Sequence, residues 1–250
     1  MKRSEFTHTL TELLKPDAIR DFAPNGLQVE GAENIRKIVT GVTASQALVD
    51  TAVELQADTI LVHHGYFWKG ESQVITGMKK RRIATLLAND INLYGYHLPL
   101  DIHPELGNNA QLAKLLDIEV LGGLESGPTS VPVHGRLRTP MSGEVFAEKI
   151  ATVLNRKPLI NIVRDKPIET IAWCTGGGQG YIDLAASRGV DAYLTGEASE
   201  QTIHSSNEQG IDFFAAGHHA TERYGIKALG EYLAEQYGFD VTFTDIDNPV

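Results

Sequence analysis

The sequence predicts an α/β fold built from two duplicated halves, with sheets that are mostly parallel or mixed. Short apolar, β-branched segments alternate with helical patterns, which is typical of βαβ units and parallel pairing. A segment of the first half is repeated in the second half. Polar residues follow the ends of the predicted strands, where open parallel sheets bind their ligands. We therefore expect a functional site that uses strand ends of both halves.

The first elements form a βαβ unit. A helix is predicted over residues 4–14, with Ser4 as its N-cap and Pro16 after its end. Residues 36–45 predict a buried strand, Ser45 caps the next helix, and 58–65 are the second strand. The later elements are, in chain order, a basic helix around MKKRRIATLLAND, a strand INLYGYH, a loop LPLDIHPELGN, a helix NNAQLAKLL, a linker or crossover over 122–142, a helix GEVFAEKIATVL and a strand PLINIVRD.

An internal repeat relates the two halves, because residues 38–64 align without gaps on residues 171–197. The identical pairs are Ile38 and Ile171, Gln46 and Gln179, Asp50 and Asp183, Ala52 and Ala185, Asp58 and Asp191, and Leu61 and Leu194. We therefore predict a first α/β half over 1–125, a connecting segment with a helix and a strand over 126–168, and a second half over 169–250.

The repeat also predicts which polar residues correspond. His63 and His64 fall opposite Gly196 and Glu197. The similarity continues from INLYGYH to IDFFAAGH with one inserted residue, which places His97 opposite His218.

Composition limits the functional classes. The net charge of -10 argues against a general nucleic-acid-binding role, which needs a basic face. One cysteine, Cys174, allows neither an internal disulfide nor a CxxC zinc site. The N-terminal stretch has no apolar core of a signal peptide, and no apolar run reaches transmembrane length. A cytoplasmic protein without membrane partners is the expectation.

Adjacent histidines are candidates for metal ligands. His63 and His64 end a strand, where neighbouring side chains point to opposite faces, so both can serve one cleft only if the chain has already left the sheet, which Gly65 makes easy. Two divergent imidazoles suit two metal ions better than one. The alternative is a pair that merely caps the strand. His218 and Glu222 lie four residues apart and share a helix face, although Glu222 is also a typical first-turn carboxylate.

Other strand ends carry further candidates. Asp101 is expected in a loop, too far from the helix near Asn108 to cap it, which favours a ligand role. Glu197 is a candidate general base or a partner of a ligand. The segment CTGGGQG, residues 174–180, either cradles a phosphate on backbone N–H groups or allows close packing. The basic run MKKRR either binds an anion or is a solvated face.

Three histidines and two carboxylates at strand ends form a mixed nitrogen and oxygen donor set. Such a set suits Zn, Fe, Mn, Ni or Co better than Ca. Five ligands are too many for one four-coordinate structural zinc, so the natural interpretation is two divalent metal ions, about 3.5–4 Å apart.

The stretches GVTAS, VHHGYFWKG, YHLPLDIHPELGNN, CTGGGQ, TGE and AAGHHATERYG together resemble the GTP cyclohydrolase 1 type 2 homologue family over nearly the whole chain. That resemblance implies intertwined, three-layer α/β/α domains and a toroidal homohexamer with metal sites facing its cavity. It also implies a ligand set of His63, His64, Asp101, His218 and Glu222, with Glu222 bridging two metals.

The expected function is that of a metal-dependent hydrolase acting on a nucleotide-like small molecule. In GTP cyclohydrolase chemistry, hydroxide attacks C8 of guanine and formate leaves, with Glu197 or His97 as the proton shuttle. Phosphoester hydrolysis with the same metals is the alternative within this class. A non-catalytic metal-binding or regulatory ring that binds partner proteins is the alternative outside it. No role follows for His103, His204 or His219.

Overall fold

Two mixed sheets organise the chain, and each belongs to its own structural unit. The computed structural model describes residues 1–127 and 129–250. Unit 1 comprises Met1–Gly107 and Gly225–Asp247, and unit 2 comprises Asn108–Tyr224 and Asn248–Val250. Most of unit 2 is thus inserted between the two segments of unit 1, and the last three residues belong to unit 2 again. In this sense the two α/β units are intertwined along the sequence. The α/β class with mixed sheets is confirmed.

The unit boundaries differ from the halves drawn from the repeat, which divided the chain after residues 125 and 168. The last helix contributes its beginning to unit 2 and its remainder to unit 1. Pro128, in the predicted connecting segment, lies outside the described residues.

The strands and helices alternate along most of the chain. The strands are β1 (Gly26–Val29), β2 (Lys37–Thr43), β3 (Thr59–His64), β4 (Asn92–Gly95), β5 (Ile118–Gly123), β6 (Val133–Met141), β7 (Leu159–Asn161), β8 (Ile168–Cys174), β9 (Ala192–Thr195), β10 (Asp212–Ala215) and β11 (Asp240–Phe243). The α-helices are α1 (Arg3–Leu14), α2 (Gln46–Glu54), α3 (Gly77–Ala88), α4 (Leu98–Asp101), α5 (Asn108–Leu116), α6 (Gly143–Leu154), α7 (Ile182–Ser187), α8 (Glu200–Gln209) and α9 (His218–Tyr237).

Unit 1 is a three-layer arrangement around the sheet β1-β4-β3-β2-β11. The strands β11, β2, β3 and β4 are parallel, and β1 is antiparallel to β4. Alternate residues of β2 enter two different cores: Ile38 packs with Phe6 of α1, and Val39 packs with Leu48 of α2. This division follows from the alternation of side chains along a strand.

Unit 2 has the same layering around the sheet β5-β6-β8-β9-β10-β7. Here β8, β9 and β10 are parallel, whereas β5, β6 and β7 pair antiparallel. Trp173 of β8 packs with Phe146 of α6, and its neighbour Cys174 packs with Ile182 of α7 on the other face. Each unit therefore buries both faces of its sheet.

The repeat seen in the sequence is matched in the strand register. Ile38 pairs with Thr59 in unit 1, and the equivalent Ile171 pairs with Ala192 in unit 2. The identical residues Asp58 and Asp191 make the same contacts. Each accepts hydrogen bonds from two successive backbone N–H groups at the start of the preceding strand.

Three local predictions were wrong. Ser4 is not an N-cap, because α1 begins one residue earlier, at Arg3. The residue before the helix, Lys2, forms an isolated antiparallel β-bridge with Asn34. Asp101 does not lie in a loop but ends the short helix α4, which has a proline in its first turn. The predicted linker over 122–142 contains β6, because its glycines and prolines obscured an alternating strand.

Among the residues described, none of the helices has both the length and the apolar character needed to cross a bilayer.

Candidate metal centre

Three histidines of unit 1 converge at the carboxyl ends of adjacent parallel strands. His63 and His64 end β3, and His97 lies two residues after β4, which pairs with β3. One ring nitrogen from each of the three lies within 4.8 Å of the others. The ring centroids of His63 and His64 are only 4.5 Å apart. Of the two arrangements that the sequence left open, the structure has the convergent one, in which β3 ends at His64 and the chain leaves the sheet at Gly65.

The first two imidazoles are oriented by contacts at Nδ1. His63 is 1% exposed, and its Nδ1 lies 3.0 Å from the carbonyl oxygen of Tyr96. His64 Nδ1 lies 3.3 Å from Thr43 Oγ1. On the other side of the His63 ring, Nε2 is 3.6 Å from Oδ1 of Asp101, which is also buried. An acceptor at Nδ1 and a carboxylate near Nε2 are typical surroundings of a ligating histidine.

The third imidazole is held by a carboxylate that sequence analysis missed. Asp21 Oδ1 lies 2.7 Å from His97 Nδ1, and Asp21 Oδ2 accepts a hydrogen bond from the backbone N–H of Leu98. Burial opposes ionisation of Asp21, but hydrogen bonds from His97 and Asn25 outweigh it and lower its pKa to about 2. An ionised carboxylate only accepts, so Nδ1 of His97 carries a proton and its Nε2 is the atom available for a metal or a substrate proton.

No spacing signal pointed to Asp21, because it lies 76 residues before His97 in a turn-rich segment. Asn25 of the same segment accepts a hydrogen bond from the backbone N–H of His97. The segment before β1 thus fixes both the side chain and the backbone of this histidine.

Unit 2 carries a second set of donors at the start of α9. His218 Nε2 lies 3.1 Å from Oε2 of Glu222, as the four-residue helical spacing predicted. Its Nδ1 lies 2.6 Å from Oε1 of Glu197, which follows β9. Burial opposes protonation of His218, but Glu222 and Glu197 outweigh it and raise the pKa of the imidazole to about 9. Glu197 is thus placed to orient His218.

The glycine-rich segment packs closely rather than cradling an anion. Gly176 has φ +66°, and a Cβ atom there would lie 1.9 Å from Oε1 of Glu222. The N–H groups of Gly176 and Gly178 already donate to the hydroxyls of Thr221 and Thr195. Of the two interpretations of CTGGGQG, the structure favours close approach of the backbone to the Glu222 carboxylate.

Three further histidines, to which no role was assigned from the sequence, have other surroundings. His103 Nδ1 accepts hydrogen bonds from the backbone N–H groups of Glu105 and Leu106. The side chain of His204 is 68% exposed and lies 4.0 Å from Glu200. The backbone N–H of His219 donates to the carbonyl oxygen of Val250.

The donors of both units fit a transition metal. Imidazole nitrogens and carboxylate oxygens are the ligands that Zn, Fe, Mn, Ni and Co share. His63, Asp101 and Glu222 are each at most 4% exposed, and buried carboxylates are costly unless a cation or hydrogen bonds compensate them. The structure thus contains groups that could hold a metal ion.

Comparisons with known proteins place the chain in one family over nearly its whole length. A sequence profile of the family described as Duf34/NIF3 (NGG1p interacting factor 3) matches residues 1–249. The chain is 67% identical to the GTP cyclohydrolase 1 type 2 homolog of Haemophilus influenzae and 61% identical to that of Escherichia coli strain K12, with complete coverage of both chains in each case.

Solved structures show the same fold. The structure of protein ybgI matches with a TM-score of 0.97 at 60% identity, and TTHA1606 from Thermus thermophilus matches with a TM-score of 0.90 at 32% identity. Both matches cover all of this chain and all of the other chain.

Proposed function

The chain belongs to the Duf34/NIF3 family, and from that premise we propose that it is a metal-dependent hydrolase of a nucleotide-like small molecule. The observation that carries the proposal is the cluster of His63, His64 and His97, whose ring nitrogens lie within 4.8 Å of one another. Relatives named GTP cyclohydrolase 1 type 2 homolog make GTP the first substrate to test.

We propose that the protein binds two divalent ions through His63, His64 and Asp101 of unit 1 and His218 and Glu222 of unit 2. This donor set supports Zn, Fe, Mn, Ni or Co. When bound, two such ions supply Lewis-acid polarisation of the substrate and acidify water near neutral pH. Glu222 would be shared by the two ions, as the family resemblance implies.

The chain's own residues divide the remaining work. His97, with a proton fixed on Nδ1 by Asp21, offers Nε2 as the atom that takes up and returns a proton. Opening the guanine ring with loss of formate needs such a proton carrier beside the attacked carbon. Glu197 contacts His218 Nδ1, which supports a positioning role in addition to the proton transfer expected from its sequence context.

Phosphoester hydrolysis is the second candidate. The stretch from Gly65 to Arg82 contains five basic residues and one acidic residue, in a chain whose net charge is -10. Such a local excess favours an anionic substrate, and phosphate esters use the same metals.

The proposed assembly is a homohexamer located in the cytoplasm, as the family resemblance implies. Six chains of 27.3 kDa give about 164 kDa, which sedimentation of the purified protein would detect. A monomeric mass would contradict the assembly and leave the metal chemistry untouched.

The first experiment is elemental analysis of protein purified without chelator or affinity metal. We expect about two transition-metal equivalents per chain, and loss of both in the His63→Ala/Glu222→Gln double variant. The matched control is His204→Ala/Glu200→Gln, which makes the same changes at exposed side chains.

Turnover is then screened on nucleotides and phosphoesters with metal-replete protein. Formate release from GTP supports the cyclohydrolase, and phosphate release supports the phosphoesterase. Metal binding without turnover of any substrate would support the remaining alternative, a non-catalytic metal-binding ring that binds partner proteins. Metal content unchanged by the double variant would contradict the ligand assignment itself.

A further inference from the structure

The loop between β3 and α3 presents aromatic side chains beside the histidine cluster of unit 1. Its fold is fixed by hydrogen bonds: the backbone N–H of Tyr66 donates to Gln28, and the Tyr66 hydroxyl donates to the carbonyl of Ala44. The backbone N–H of Lys69 donates to the carbonyl of Phe22. A loop tied at several points holds its side chains in one arrangement.

Trp68 of this loop lies against two of the three clustered histidines. Its ring centroid is 4.8 Å from that of His97 and 5.8 Å from that of His64. The indole N–H donates to the carbonyl oxygen of Gly65, which fixes the orientation of the ring. Trp68 is nevertheless partly exposed, so part of its surface remains available next to the cluster.

The aromatic neighbour of Trp68 is also held in an exposed position. Phe67 has φ +66°, an uncommon conformation for a bulky residue, and is 38% exposed. The ammonium group of Lys79 lies 4.9 Å from the centre of its ring. Backbone conformations of this kind persist only where the surrounding structure enforces them, and they cluster at ligand sites.

A positive charge directly follows Trp68. Lys69 is exposed and makes no ion pair with any residue that the structure describes, whereas Lys79 contacts Glu71 and the carbonyl oxygen of Ser72. In a protein of net charge -10, an exposed lysine that directly follows a partly exposed tryptophan in the chain favours a ligand that is both planar and anionic.

We propose that Trp68 stacks against the heteroaromatic ring of an anionic ligand, with Lys69 pairing with its negative group, so that the ligand's ring lies beside His64 and His97. The ligand class is a nucleotide. This inference rests on the proposed function for its substrate class, and it adds the residues that recognise the ring and the charge.

The energetics separate the two contacts. Stacking of a base on an aromatic side chain contributes about 1–3 kcal/mol, or roughly 5- to 150-fold in affinity. Stacking depends on a flat side chain and little on salt. The contribution of an exposed ammonium is weakened by salt, because the Debye length falls from about 30 Å at 0.01 M to about 10 Å at 0.1 M.

Intrinsic fluorescence provides a direct readout because the chain has two tryptophans. Trp173 is fully buried, whereas Trp68 is partly exposed. We expect GTP to change the emission of the wild-type protein and not that of Trp68→Leu, in which only Trp173 emits. Absence of any change with GTP, ATP and UTP in the wild type would overturn the proposal.

Calorimetric titration of metal-containing protein with GTP and with tripolyphosphate completes the test. Trp68→Leu should weaken GTP binding at least 5-fold and leave tripolyphosphate binding unchanged, while Trp68→Phe retains GTP affinity within about 3-fold. Lys69→Gln should weaken both ligands at low salt only. Tyr237→Leu, a change at an exposed aromatic residue of α9, is the control.

Equal GTP affinity in Trp68→Leu and wild type would overturn the stacking contact. So would equal losses in Trp68→Phe and Trp68→Leu, since these indicate a packing role. Failure of this inference and failure of the proposed function give different results. If GTP binds through Trp68 but is not converted, only the proposed hydrolase activity is refuted. Turnover with an unchanged KM in Trp68→Leu refutes the inference alone.

Discussion

At the scale of single residues, equivalent histidines of the two units are held by carboxylates from non-equivalent positions. Asp21, before β1, contacts His97 Nδ1 at 2.7 Å, and Glu197, after β9, contacts His218 Nδ1 at 2.6 Å. The internal repeat pairs His97 with His218 but gives Asp21 no counterpart in the second unit. Each unit thus places a carboxylate at Nδ1 of its histidine in its own way, and we propose that Nε2 of both histidines is the functional nitrogen.

Asp21→Asn tests this requirement. An amide can donate a hydrogen bond to Nδ1 and so favour the tautomer with the proton on Nε2. We expect kcat/KM to fall about 10- to 100-fold, as for other partners of metal-site histidines, while the fold is retained. Nitrogen-15 NMR of the His97 ring reports the tautomer. Asp17→Asn, the same change at an exposed position, should have no effect.

Protonation of His218 makes the stability of metal-free protein depend on pH. Its pKa of about 9 in the fold exceeds the ordinary value of 6.5, so the stabilisation is complete below pH 6.5 and is lost as pH rises through 9. The loss is on the order of 3 kcal/mol at most. Urea unfolding of chelator-treated protein at pH 6.5 and 9 measures it. Glu197→Gln should reduce this pH dependence, and an equal dependence in the variant would contradict the assignment.

At the scale of elements, the turn after β8 brings backbone against the Glu222 carboxylate of α9. Gly176→Ala places a methyl group where Oε1 of Glu222 lies and strains a residue at φ +66°. We expect a stability loss of about 1–3 kcal/mol and reduced metal content, measured by unfolding and elemental analysis. Gly180→Ala, in the same segment, meets open space and should preserve both quantities. Full metal content in Gly176→Ala would show that Glu222 is not required.

The elements that the sequence predicted well are those with a strong local pattern. Ser45 caps α2 as expected, because N-capping depends on a hydroxyl and the next three residues. The parallel pairing of β2 with β3 was predicted from the βαβ pattern. By contrast, β6 lies within a stretch rich in glycine and proline. Its pairing with β8 depends on long-range contacts, which the composition of that stretch does not reveal.

The same contrast applies to the candidate metal centre. His218 and Glu222 were predictable as neighbours, because helical spacing alone brings them together. The convergence of His63 and His64 stayed one of two alternatives, because it depends on where β3 ends. Asp21 reaches the cluster from a segment without a recognisable motif. Trp68 belongs to the stretch VHHGYFWKG, but nothing in that stretch indicates its contact with His97, so only the folded chain identifies both neighbours.

At the scale of the whole molecule, the two units repeat a framework but differ in their donors. Of the proposed ligands, unit 1 carries His63, His64 and Asp101, whereas unit 2 carries His218 and Glu222. At the position of His64 in unit 1, the repeat places Glu197 in unit 2. The repeat has thus kept the strand ends while the side chains that follow them differ.

The proposed dinuclear centre predicts how the metal content responds to single substitutions of its ligands. If the five proposed ligands form one dinuclear centre, His63→Ala in unit 1 and Glu222→Gln in unit 2 should each remove more than one metal equivalent per chain, because the loss of a ligand weakens both ions. Independent sites would instead lose one equivalent each and keep the other. Elemental analysis of the two single variants, with His204→Ala and Glu200→Gln as exposed controls, separates these outcomes. The same samples assayed with GTP reveal whether turnover depends on both metal ions or on one.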